Sequence, residues 1–183
     1  NLLVFAAAVL TLHKNQFGWF CVILFVGMLN RETPILLAFA PILLAGALPT
    51  RVRRFVASLA SVAVPYVVVR LLVPTPDPSW WKTADVVRNI PFLSQEYSSA
   101  ALVANVKLAA ILGVPIALAT IKFAFRPQFL RAIFLLVIPF VLVHYAFGRI
   151  AEIRLWLPLL VMVMPLALGG LIEEYRGNET AGK

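Results

Sequence analysis

Arginine and glutamate come together twice in this chain, as Asn30-Arg31-Glu32-Thr33 and as Arg149-Ile150-Ala151-Glu152-Ile153-Arg154, each between apolar runs. A guanidinium is a planar fork of donors that matches a phosphate, and a carboxylate beside it can position that fork or bind a sugar hydroxyl. The chemistry these residues could perform is capture of an anionic head group. Arg31 and Glu32 are adjacent and cannot face each other on a helix, whereas Arg149 and Glu152 are spaced to pair locally. Arg154 points to another side of that helix, with no acid one turn before it. Arg31 and Arg154 are therefore the cations least satisfied by their own segments. The opposing reading is structural, with Arg31 paired to Glu152 or Glu32 to Arg154. Breaking such a pair where water is scarce would cost about 3–5 kcal/mol. Both readings stand on the residues alone.

Other polar groups offer less chemistry. His144-Tyr145 fits a packed, hydrogen-bonded pair better than a proton relay, and Lys107 and Arg70 can snorkel or add positive potential near a phosphate. The spacing of His, Cys and carboxylates suits no metal, and there is neither a nucleophile triad nor a glycine-rich phosphate loop. No metal and no cofactor are expected. The single Cys21 lies within an apolar run and forms no intramolecular disulfide. Asn178-Glu179-Thr180 matches a glycosylation sequon but falls in a segment expected to be cytoplasmic.

These islands sit in a chain that is 62% hydrophobic and 13% charged, with a mean hydropathy of +0.93. A water-soluble domain could not cover so much apolar surface, and the long unbroken runs exclude the alternating pattern of a barrel. The expected class is all-α, a polytopic transmembrane helical bundle with short broken helices and one interfacial amphipathic helix. The net charge of +8 is carried largely by short segments between spans, which orient a membrane protein, so nucleic acid is not an expected partner. The bilayer is. Spans are expected near 1–12, 17–29, 34–48, 55–73, 101–125, 132–147 and 155–172, with an outer loop over 74–100, in a single transmembrane domain over 1–183. The chain opens at Asn1 inside an apolar run with no signal-peptide pattern, so it is expected to be a piece of a longer protein.

Lysine and arginine set the orientation. Thr50-Arg51-Val52-Arg53-Arg54 and the Lys122, Arg126, Arg131 group carry no acid and are expected on the cytoplasmic side. Alternation then puts both islands and the 74–100 loop on the extracytoplasmic side of a multi-pass protein of the cell membrane. At ~1.5 Å per residue, Phe17–Leu29 and Pro34–Leu48 fall short of a hydrocarbon core of about 30 Å, which suggests a hairpin holding Asn30–Thr33 below the outer surface. Thinning of the bilayer or snorkelling by Arg31 is the alternative. In the outer loop, Asp77-Pro78 starts a helix, and Trp80 and Trp81 fit the aromatic belt at head-group level. That helix either anchors the loop or covers a lipid or sugar site, with Asp77 and Asp85 as acid or base groups in the second case.

Glu152-Ile153-Arg154-Leu155-Trp156-Leu157-Pro158, running into Met164-Pro165, resembles a Glu-x-Arg stretch near the late transmembrane helices of polytopic glycosyltransferases of the GT-C fold. Asn30-Arg31-Glu32-Thr33-Pro34-Ile35-Leu36-Leu37 is similar to the arginine-containing turn before a leucine-rich helix in the same class. The resemblance implies transfer of a sugar from a polyprenyl-phosphate donor at the extracytoplasmic face. It implies that Arg31 and Arg154 bind carrier phosphate, supported by Glu32, Glu152 and Arg149. The family's catalytic carboxylate lies in its first outer loop, to which nothing here corresponds, so no catalytic base is assigned. Two other classes compete: a non-catalytic membrane subunit or scaffold docking a membrane-protein partner, and a transporter or lipid flippase built from short, broken helices.

Overall fold

The computed structural model describes residues 2–30, 33–72, 98–121, 123–147 and 156–181. Among these, every regular element is helical. In chain order they are α1 (Leu2–His13), α2 (Phe17–Asn30), a 3-10 helix (Thr33–Phe39), α3 (Ala40–Leu43), α4 (Leu48–Leu72), α5 (Ser98–Thr120), a 3-10 turn (Phe123–Phe125), α6 (Gln128–Leu135), α7 (Val137–Phe147) and α8 (Leu157–Ala181). The surface helix expected after Asp77, with Trp80 and Trp81, lies outside the described residues.

Among the described residues, Leu48–Val69, Ala101–Thr120 and Gln128–Ala146 are long and apolar enough to cross a membrane. Their apolar side chains point mostly outward. Only 11% of the Ala101–Thr120 stretch is buried, and Val114 and Leu142 are each 64% exposed. An apolar exterior on this scale would aggregate in water and is satisfied by lipid. The chain is a membrane protein on this ground. Leu2–His13, Phe17–Leu29, Thr33–Leu43 and Leu157–Gly169 are apolar but shorter.

The chain divides into two compact units, Asn1–Lys82 and Thr83–Lys183. In the first, α1 and α4 pack on α2, and the 3-10 helix packs on α2 and α4. The core is a helical stripe, Phe5, Ala8 and Leu12 on α1 against Phe20, Leu24 and Met28 on α2. The turn between α1 and α2 is fixed by Asn15 at φ 56°, with Gln16 N–H donating to Thr11 O at 2.8 Å and Asn15 N–H to Leu12 O at 3.1 Å. This is a Schellman close, in which asparagine replaces the usual glycine because its short side chain tolerates the left-handed region. Gly27 marks a close approach of three segments. A Cβ there would lie 2.6 Å from Val4 Cγ1 and 3.0 Å from Pro34 Cγ.

In the second unit α5 and α8 make the main contact, and α6 and α7 also pack on α8. Leu159, Met162, Val163, Leu166 and Ala167 form the buried stripe of α8, while the buried positions of α5 include Ala101, Ala104 and Ala119. Small residues of this kind let two membrane helices approach closely.

Several boundaries differ from the sequence expectation, among them three with a clear local cause. The 132–147 span is broken at Leu136, because Pro139 lacks an N–H and its ring crowds the carbonyl of Leu135. The 34–48 span is a 3-10 helix followed by one α turn. Pro41 cannot donate to Leu37, which removes an α-type bond at that joint. α4 starts at Leu48, so Arg51, Arg53 and Arg54 stand on its first turns and not in a loop. The chain reverses just before, at Gly46 with φ 135°, and Pro49 is tolerated in a first helical turn.

Candidate functional site

Arg31 and Glu32 of the first island and Arg149, Glu152 and Arg154 of the second lie outside the described residues. The structure shows the framework on their borders. The first island joins the end of α2 at Asn30 to the 3-10 helix at Thr33. These two arms pack side by side, with Pro34 against Gly27. α2 has 14 residues and rises about 21 Å. The returning arm has 7 residues of 3-10 helix and 4 of α3, a combined rise of about 20 Å. Both arms are about 10 Å shorter than a hydrocarbon core. The hairpin expected from sequence is present with the expected short arms.

At the border of this island the Thr33 hydroxyl oxygen is buried and has no hydrogen-bond partner among the described residues. A second such group borders the other island. Trp156, two positions after Arg154, is 2% exposed, and its indole Nε1 has no partner among the described residues. Leaving a buried hydrogen-bonding group unmet costs about 1–3 kcal/mol, and neither of these two groups is met by a described residue.

Trp156 is held by an aromatic cluster. The rings of Phe140 and His144 stack at 4.0 Å, and Trp156 packs against both, at 6.4 Å and 5.7 Å between centroids. His144 Nδ1 lies 2.9 Å from the Phe140 carbonyl, which can only accept, so the proton is on Nδ1. One position on, the Tyr145 hydroxyl donates to Asn105 Oδ1 at 2.7 Å and ties α7 to α5. His144 and Tyr145 are thus packed and hydrogen-bonded, each through its own partner.

The basic segments read as orientation signals also hold the fold together. Arg51 donates to the carbonyl of Ile42, the penultimate α3 residue. Arg54 donates to Asn15 Oδ1 at 2.9 Å and lies 5.4 Å over the Phe17 ring. Arg51 thus fastens the start of α4 to α3, and Arg54 fastens it to the α1–α2 turn. Sequence spacing gave no sign of this, because Asn15 and Arg54 are 39 positions apart. In the second unit Arg126 is 4% exposed and its guanidinium lies beside Gly169 of α8, so it too is a packing residue and not a solvated loop cation.

Among the described residues no group of His, Cys, Asp and Glu is placed to hold a metal ion. Compared with known proteins, the chain matches no family model, no curated protein and no solved structure.

Proposed function

We propose that this chain is the membrane-embedded part of a lipid-linked sugar transferase, a polytopic bundle of GT-C type acting at the extracytoplasmic face of the cell membrane on a polyprenyl-phosphate donor. The observation that carries the reading is that Thr33 Oγ1 and Trp156 Nε1, one on the border of each cationic island, are buried with no hydrogen-bond partner among the described residues. Taken unit by unit, a phosphate or sugar head group at the second island would supply an acceptor for the indole, and one at the first island a partner for the hydroxyl. The short hairpin arms support the same reading, since they would hold Arg31 below the membrane surface where an ion pair with phosphate is strengthened.

In this reading Arg31 and Arg154 bind the carrier phosphate, and Glu32, Glu152 and Arg149 support them at the head group. A carboxylate from outside these residues takes the proton of the acceptor hydroxyl, whose oxygen attacks the anomeric carbon. The bond from that carbon to the phosphate oxygen breaks, and the electron pair leaves with the polyprenyl phosphate. The arginines stabilise the charge that develops there. The protein in nanodiscs should bind polyprenyl phosphate, and Arg154→Ala should abolish that binding while the melting temperature holds. Loss of folded protein on Arg154→Ala would mean that the arginine pairs structurally instead.

A second reading, a lipid flippase or transporter, draws on the interrupted helices. Pro65, Pro115 and Pro165 lie inside α4, α5 and α8, and the 3-10 arm and the Leu136 break add two more irregularities. Translocation of a fluorescent polyprenyl-phosphate analogue by proteoliposomes, with no sugar transfer, would favour it.

A further inference from the structure

The end of the first unit that carries the α1–α2 turn holds Lys14, Arg51, Arg53 and Arg54, while residues 2–30 and 33–72 contain no Asp or Glu. Arg51 and Arg54 are engaged inside the fold, by the Ile42 carbonyl and by Asn15 and Phe17. The Arg54–Asn15 bond brings the backbone around Lys14 and Asn15 to the same end of the unit as the first turns of α4, which carry Arg53. Lys14 and Arg53 are exposed, and neither side chain has a partner among the described residues. The N-terminus of the 25-residue helix α4 adds positive potential at the same place. Trp19, near the start of α2, is 64% exposed, and Val22 on the same helix and Val52 on α4 are exposed as well. An exposed indole one turn from a cationic helix-helix turn is suited to the head-group layer of a bilayer.

We propose that this end of the unit binds the phosphodiester head groups of anionic phospholipid, with Lys14 and Arg53 as the contacting cations and Trp19 seated at the interface. It lies at the opposite end of α2 from Asn30, so it is separate from the sugar-transfer reading and does not depend on it. An orienting role alone would need the charges only during insertion. A lipid site needs them in the folded protein, which Arg54 achieves by pinning the turn to α4.

Native mass spectrometry of the detergent-solubilised protein titrated with phosphatidylglycerol or phosphatidylcholine tests this. The unsubstituted protein should retain phosphatidylglycerol in preference to phosphatidylcholine. Lys14→Gln with Arg53→Gln should weaken phosphatidylglycerol about thirtyfold, roughly fivefold for each cation, and leave phosphatidylcholine and the melting temperature unchanged. The exchange Lys14→Arg with Arg53→Lys, which keeps both charges, should restore the preference. Equal retention of the two lipids by the unsubstituted protein, or an unaltered preference in the double glutamine variant, would overturn the proposal.

Discussion

Gly27→Ala places a methyl group where α1, α2 and the 3-10 helix meet. Its carbon would lie 2.6 Å from Val4 Cγ1 and 3.0 Å from Pro34 Cγ. Carbon atoms in contact sit about 3.5–4.0 Å apart, so one or both neighbouring segments must withdraw by roughly 0.5–1 Å. Neither neighbour yields easily. Valine on a helix has one strongly preferred rotamer, and the proline ring is rigid. Overpacking of this kind costs about 1–3 kcal/mol, against which replacing a helical glycine returns up to about 1 kcal/mol. The balance is a loss of about 1–2 kcal/mol, or a fall in melting temperature of roughly 2–8 °C for a chain of this size. Cys21 is the only cysteine and lies on α2, so a thiol-reactive dye followed through a thermal ramp reports the transition. Gly113 is the control. Nothing lies within 4 Å of its Cβ position, and Gly113→Ala should leave the melt unchanged or raise it. Adding Val4→Ala to Gly27→Ala should recover most of the loss. If Gly27→Ala melts at or above the unsubstituted protein, the three-segment contact is not the one described.

Tyr145→Phe removes the donor to Asn105 Oδ1 and should cost about 0.5–1.5 kcal/mol of stability, read as a melt lowered by a few degrees with polyprenyl-phosphate binding intact. Asn15→Ala forces an unsuited residue into the left-handed region and removes the acceptor of Arg54, a loss of about 1–2 kcal/mol in the same melt. Asn15→Gly keeps the turn and loses only the acceptor, so it should be the milder of the two.

The helices were legible because each apolar run is long and ends at visible punctuation. α1 and α2 fall within one residue of the expected spans 1–12 and 17–29, with Lys14 and Asn15 between them. What sequence did not show is what depends on distant partners. Arg54 reads as a loop cation until Asn15 and Phe17 are brought beside it, and Arg126 until α8 covers it. The start of α4 was placed too late because the arginines look like a loop to a hydropathy scan, although arginine is a good helix former. α8 runs on to Ala181 for the same reason, through Glu173, Glu174 and Arg176. The short arms of the hairpin could be anticipated from the length of its apolar runs. Its 3-10 geometry follows from Pro41, whose effect depends on which carbonyl it fails to meet. Of the candidate site, sequence supplied the cationic islands, and the structure supplied Thr33 and Trp156 beside them.

The central claim is that both islands open to the extracytoplasmic face. In a Cys21→Ser background, Arg31→Cys and Arg154→Cys can each be exposed to a membrane-impermeant thiol reagent, added first outside and then after permeabilisation. The account predicts that both positions react from outside, and that polyprenyl phosphate slows the reaction at each. Reaction of either position only after permeabilisation would contradict it.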